Sequence, residues 1–478
     1  MAMSPSTSSN SCRSKPAPRA RNSRKDTNGE IRFGVLSVFR GLTPLTTPPA
    51  SSRLSWLRTA ALQTYRLAVL VAIAFTIRSH HTRLRVGGDT PVTLEEVRAV
   101  FPKAASLRAD PGERAGLFVS DDTGQPLGYV LRTAPTSDSV IGYRGWTDSL
   151  VAFDPALKVV SVRIRSSQDT RDHVSDITDD RFFLKKTWTG KTWDEVAAQS
   201  PEEAGIEGVS GASMTSVAMA EGIMRRLRAA DSALALKPQP LTFRAADYGL
   251  IAVIIAASIL AFTGTYGRKW IRRVFQIGVI VYVGFVTGLL LAQSLIVGWA
   301  QSGIPWRSAP GLVLLLAAAL AFPWATRKPL YCQQLCPHGA AQELISRLAP
   351  RRWRISLRPD FARGLRWFPA LLLGLVVTTS ILLLPIDLAH LEPFDAYVLG
   401  SAGIATIAIA IAGLIASAFV PMAYCHYGCP TGALLEFLRS HGPADRWGRR
   451  DLAALLLLGL ASLLSWKYHA IHAWMIAS

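Results

Sequence analysis

Six apolar segments follow one another through the second half of this 478-residue chain, and no other feature limits its fold so tightly. They lie at about 246–265, 274–293, 310–324, 367–386, 402–420 and 451–466. Several approach the roughly 20 residues that cross a bilayer as a helix. Long core helices of a soluble protein explain one or two such runs, but not six in series. Hydrophobic residues make up 50% and charged residues 18% of the chain, the latter below the roughly 25% of ordinary soluble proteins. The expectation is an all-α polytopic membrane bundle.

The connectors sort into two kinds. Residues 267–273, Arg327-Lys328, 347–366 and 439–450 are basic. Residues 294–308 carry one Arg, and 387–397 carry Asp387, Glu392 and Asp395. Basic and poorly basic loops alternate without a break, as the positive-inside rule requires of a multi-pass protein of the bacterial cytoplasmic membrane. The net charge of +19 is thereby explained by topology, and no nucleic-acid partner is expected. Membrane lipid is.

Ahead of these runs is a shorter apolar segment, residues 60–77, whose clean part is 67–77. No small-residue cleavage site follows it, so residues 53–80 are expected to be an uncleaved signal anchor, with Arg66 snorkelling toward the cytoplasm. This makes about seven transmembrane helices. Residues 1–52 are rich in Ser, Pro, Arg and Lys and are expected to be a disordered basic tail. The next methionine after Met3 is Met214, so an over-long start would also account for that stretch.

Between anchor and bundle, residues 87–236 turn soluble. Strand-like pieces occur at 116–120, 127–133, 148–153 and 159–165, and helical pieces at 93–101, 192–199 and 214–228. The mixture predicts a compact α+β domain, placed outside the cytoplasm by the loop charges. The segment Glu207-Gly-Val-Ser-Gly-Ala-Ser-Met-Thr-Ser216 opens its last helix. Glycines permit close backbone approach, and free N–H groups at a helix start favour a phosphate. A hydroxyl helix cap with ordinary packing fits the same residues.

Val-Ser-Gly-Ala-Ser-Met-Thr resembles the flavinylation motif of the FMN-binding domains in NqrC, RnfG and NosR-type proteins. Ile141-Gly-Tyr-Arg-Gly145 looks like the glycine-aromatic hairpin of these domains, and Gln168-Asp-Thr170 stands where they have a Glu-Thr pair. The resemblance implies FMN held covalently through its phosphate by a hydroxyl, installed by a flavin transferase. Ser213 occupies the acceptor position and Thr215 is the second candidate. Ser210, Gly211, Ala212, Tyr143 and Thr170 complete the implied FMN site. Glu207 and Ser213 depart from the family pattern, which has Asp and Thr there.

The five cysteines are Cys12, alone in the tail, and two close pairs. Tyr331-Cys-Gln-Gln-Leu-Cys-Pro-His-Gly-Ala-Ala-Gln-Glu343 and Tyr424-Cys-His-Tyr-Gly-Cys-Pro-Thr-Gly-Ala-Leu-Leu-Glu436 share Tyr-Cys-x-x-x-Cys-Pro-x-Gly-Ala-x-x-Glu. Each copy follows an apolar run and enters a basic segment, so both are expected on the cytoplasmic side. Cys332, Cys336, Cys425 and Cys429 offer four thiolates to one shared site. That suits an iron–sulfur cluster, and Cys-x-x-x-Cys-Pro echoes the end of the bacterial ferredoxin run. Zinc, redox-active thiols and plain buried cysteines also fit the residues.

The order of anchor, outer FMN domain, spans and paired cysteine motifs resembles NosR/NirI-type proteins, and the membrane part also resembles NapH. NosR-type chains continue into a ferredoxin-like domain with two more cysteine runs, whereas this sequence stops at Ser478. No histidine pair lies within a span, so haem is not expected. The function implied is electron transfer between a cytoplasmic or quinone-level donor and an extracytoplasmic acceptor, with redox partner proteins and quinone as partners. A redox-sensing membrane regulator of the NosR/NirI kind is the alternative.

Overall fold

The structure is a computed structural model and describes residues 50–87, 91–112, 114–180, 182–230, 241, 243–263, 268–384, 386–398, 402–442 and 445–477. The expected tail, apart from its last three residues, and Cys12 lie outside the described residues. The sheet and the bundle both belong to one compact unit, residues 54–478.

Helix α1 (Ala50–Gly87) is followed by α2 (Leu94–Arg98) and five antiparallel strands in chain order: β1 (Ser106–Ala109), β2 (Leu117–Ser120), β3 (Pro126–Arg132), β4 (Thr147–Phe153) and β5 (Val159–Ser167). Three helices complete this part: α3 (Arg171–Asp179), α4 (Trp193–Ala198) and α5 (Ser213–Ala229). The period of two along the strands sorts the core into two layers. Leu131, Val151 and Phe153 face α5, packing with Met219, Ile223 and Leu227. Val130, Leu150 and Ala152 face the other way, onto Val97 and Ala104. Capping boxes open α2 and α4, from Thr93 with Glu96 and from Thr192 with Glu195. Expected strands and helices are present, and β1 and α3 are additions to them.

The helical part contains α6 (Ala245–Phe262), α7 (Lys269–Val279) continuing as a π-helical stretch over Ile280–Val286, α8 (Gln293–Ser302) and α9 (Pro310–Thr326). A short helix Tyr331–Leu335 leads into α10 (Pro337–Leu348), α11 (Pro359–Leu365) and α12 (Phe368–Leu382). After α13 (Ile404–Phe419) and α14 (Ala423–Tyr427) come α15 (Pro430–Leu438) and α16 (Arg449–Ala477). Among the described residues, four helical stretches are long and apolar enough to cross a membrane: Leu57–Leu84, Ala245–Phe262, Pro359–Leu382 and Arg449–Met475. The expected count of seven is therefore not met at full length. Pro310–Thr326 and Ile404–Phe419 are apolar but shorter, and the run at 274–293 is broken. Its helix ends after Val286, Gly288 takes φ +60°, and α8 starts at Gln293.

The basic connectors gather at one end of the bundle. Arg272 and Arg347 both pair with Glu343, Arg439 donates to the Arg327 carbonyl, and Lys328 donates to that of Ala261. The opposite end meets the α+β domain. There the indole of Trp299 donates to the Tyr143 carbonyl at 3.1 Å, and the Arg171 N–H donates to Asp387 at 3.1 Å. Arg66 does not snorkel. It is fully buried between Asp445 and Asp451, which hold its guanidinium at 2.7–3.2 Å. Two carboxylates from the chain satisfy it where water was expected to.

Candidate flavin and cysteine sites

Asp169 organises the first site. Its carboxylate accepts from the N–H groups of Tyr143 and Arg144 at 3.0 Å, from the Thr170 N–H at 2.9 Å and from the Thr215 hydroxyl at 2.8 Å. Strand β5 and helix α3 fix Asp169, and the turn at 142–145 is closed by the Gly142 N–H donating to the Gly145 carbonyl. A Cβ at Gly142 would collide with Asp169, which is why the turn needs glycine there. Tyr143, Thr170 and Thr215 are thus brought together by a residue absent from the expected site. Its only sequence signal was its place between Gln168 and Thr170.

Ser210, Gly211, Ala212 and Ser213 form the turn into α5. Gly211 takes φ +84°, a conformation side chains disfavour. Among the described residues no side chain caps α5, which leaves its first N–H groups available to an anion. The two candidate hydroxyls differ. Ser213 is half-buried and donates to the Val209 carbonyl at 3.1 Å, whereas Thr215 is only 2% exposed. Around Asp169, the hydroxyl of Thr170 and Nδ1 of His173 are buried with no hydrogen-bond partner among the described residues. Such groups ask for a polar ligand. Hydroxyls, a free helix start and unpartnered buried polar atoms fit a phosphorylated, nitrogen-rich ring system such as FMN.

The second site repeats one local design. Cys336 and Cys429 sit at the starts of α10 and α15, each followed by proline in the first helical position. Their sulfurs accept the N–H groups of Gly339 at 3.4 Å and Gly432 at 3.1 Å. Cys425 accepts from the Gln342 amide at 3.1 Å, and the Gln342 carbonyl oxygen accepts from Ser417 and the Tyr424 N–H. Gln342 thereby couples the first motif's helix to the second motif. All four thiols are free and line one cavity of about 1070 Å³. Cys336 and Cys429 are buried, at 7% and 8% exposed.

Burial pushes the Cys332 thiol up to about 12 and that of Cys336 up to about 11. Such thiols become ligands when a cation takes the place of their protons, so binding releases protons. Among the described residues no three ligating side chains converge closely enough for a single ion. A cubane cluster holds its ligand sulfurs further apart than one ion does, and four thiols around one roomy cavity suit it.

Residues 386–398 join the two sites. At one end Asp387 accepts from Arg171, and His390 meets Asp172 at 3.2 Å. At the other, Glu392 accepts from the Gln293 N–H at 2.6 Å and the Thr431 hydroxyl at 2.5 Å, and the Tyr397 hydroxyl meets His338 at 3.1 Å. One buried apolar cluster contains Tyr143, Trp299, Phe394, Cys336 and Cys429, with Met214 packed against it.

A family model described as an FMN-binding domain matches residues 142–228. A family model described as a 4Fe-4S binding domain matches 308–356 and 402–453, each stretch holding one cysteine pair. No curated protein and no solved structure matches the chain. FMN and an iron–sulfur cluster are therefore its cofactors, and the combination is that of a flavin and iron–sulfur electron-transfer protein. The zinc and plain-thiol readings of the cysteines lose their footing.

Proposed function

We propose that this chain conducts electrons through a membrane between a donor at its basic end, a cytoplasmic protein or a quinol, and an acceptor on the side of the FMN domain. One observation carries the reading: Met214 and Tyr143, from the flavin domain, pack on the same buried cluster as Cys336 and Cys429. The positive-inside rule supports the orientation, with basic connectors in the cytoplasm and the FMN domain outside. The order of elements supports a NosR-like class, with NosR/NirI-like redox sensing as the rival role.

Ser213 would carry FMN through its phosphate after a flavin transferase has acted, with Thr215 as the alternative, and Cys332, Cys336, Cys425 and Cys429 would hold one shared cluster. When bound, FMN exchanges one or two electrons and the cluster exchanges one. The chain sets the separation between them. A hydrocarbon core is about 30 Å thick, yet only four residues lie between Asp387, bonded beside Thr170, and Glu392, bonded beside Cys429. The five steps of chain from one to the other reach at most about 18 Å. The bridging residues exclude water from the intervening space and hold the two sites at fixed spacing.

The test is turnover in sealed vesicles. With a quinol analogue in the bilayer, or a reductant at the basic face, an impermeant oxidant facing the FMN domain is expected to be reduced continuously. A flavin that is reduced once and then stalls, while binding of a partner changes, would make the protein a sensor instead.

A further inference from the structure

The cavity that holds the cysteines extends beyond them. Its lining includes six arginines and two glutamates, Glu343 and Glu436. Four of the arginines are engaged: Arg272 and Arg347 with Glu343, Arg439 with Glu436 and Arg450 with Asp445. Arg366 and Arg449 have no ion-pair partner among the described residues. Apolar side chains from separate helices line the rest, among them Leu70 and Ile73 of α1, Leu373 of α12, Leu434 of α15 and Leu457 of α16.

Few ligands need both halves. A soluble anion gains nothing from leucines. A neutral quinone can accept hydrogen bonds from the spare arginines but leaves their charge unbalanced, and a zwitterionic lipid brings no net charge to them. We propose that this cavity is a binding site for one anionic phospholipid. Its phosphate would rest on Arg366 and Arg449, and its acyl chains would run along α1, α12 and α16 toward the cysteines. Basic pockets between membrane helices attract anionic head groups in this way. The lipid closes the side of the cavity and keeps water from the thiols. This is independent of the direction or purpose of electron flow.

The experiment uses the full chain purified in detergent, delipidated, then offered vesicles of phosphatidylglycerol or phosphatidylcholine, with retained lipid counted by native mass spectrometry. About one phosphatidylglycerol per chain is expected, with little phosphatidylcholine. The double variant Arg366→Gln/Arg449→Gln is expected to lower phosphatidylglycerol affinity by on the order of tenfold, with iron content unchanged. Leu373→Trp, which fills the cavity without altering charge, is expected to expel the lipid as well. Equal retention of the two lipids, or an unaffected double variant, would overturn the proposal. So would displacement by millimolar inorganic phosphate, or an isoprenoid quinone held in place of the lipid.

Discussion

The hydroxyl of Thr431 donates to Glu392 at 2.5 Å, and both residues are buried. This contact anchors the 386–398 segment to the helix that begins at Cys429. Burial pushes the Glu392 carboxyl up to about 8, although the hydrogen bonds from Thr431 and the Gln293 N–H act to lower it.

An acid whose folded value lies above its unfolded one stabilises most below the unfolded value. That contribution fades as pH rises through the folded value. Wild-type stability is therefore expected to decline between about pH 4.5 and pH 8 from this group. Glu392→Gln should flatten the decline in thermal unfolding scans taken across that range. An unchanged pH profile would show that Glu392 is ionised in the folded protein. A double-mutant cycle with Thr431→Val is expected to give a coupling of roughly 0.5–3 kcal/mol.

The cysteines are expected to behave as a unit. Cys336→Ser and Cys429→Ser should each remove most of the iron, and the double variant should do little more. Iron per chain, with electron paramagnetic resonance of the reduced protein, measures this. Two half-losses that add would mean two separate centres.

Covalent flavin is expected on Ser213, the more accessible of the two hydroxyls. Ser213→Ala should abolish flavin fluorescence in a denaturing gel. Thr215→Val should retain it while destabilising the domain by about 1 kcal/mol, since the Asp169 hydrogen bond is lost. Fluorescence that survives Ser213→Ala and vanishes with Thr215→Val would reverse the assignment.

Much of this architecture was legible because its signals are local. Strand-like runs punctuated by Gly124-Gln125-Pro126 and Asp154-Pro155 marked β3, β4 and β5, and a thirteen-position motif with seven shared residues marked both cysteine helices. The failures lacked such signals. Strand β1 has four residues, none of them buried. Helix α3 buries only His173 and Ile177, too little to show an apolar stripe. Residues 387–397 read as an acidic loop, because nothing in a local sequence says that Glu392 meets Thr431 or that Asp387 meets Arg171. Those contacts are tertiary, and so is the role of Asp169. The run at 274–293 looked continuous because hydropathy does not register a change to π-helical winding.

Arg66→Met should be among the most damaging single changes, because it leaves Asp451 buried without a cation and Asp445 with Arg450 alone. A loss of about 3–5 kcal/mol is expected, seen as a lower melting temperature in detergent. Adding Asp445→Asn and Asp451→Asn should recover part of it. If Arg66→Met melts like wild type, the three charges are hydrated and the ion pair is inconsequential.

The same ion pair has a consequence for biosynthesis. Arg66 stands in α1, and its partners are made 379 and 385 residues later. While the ribosome is still producing the flavin domain and most of the bundle, the first helix carries a cation with no counter-ion. Only the arrival of the loop before α16 neutralises it. A chain abandoned before that point keeps an unpaired charge at the membrane, which distinguishes it from a finished one. Closure of α1 onto α16 is thus a late event in synthesis, and it reports that the intervening chain has been completed.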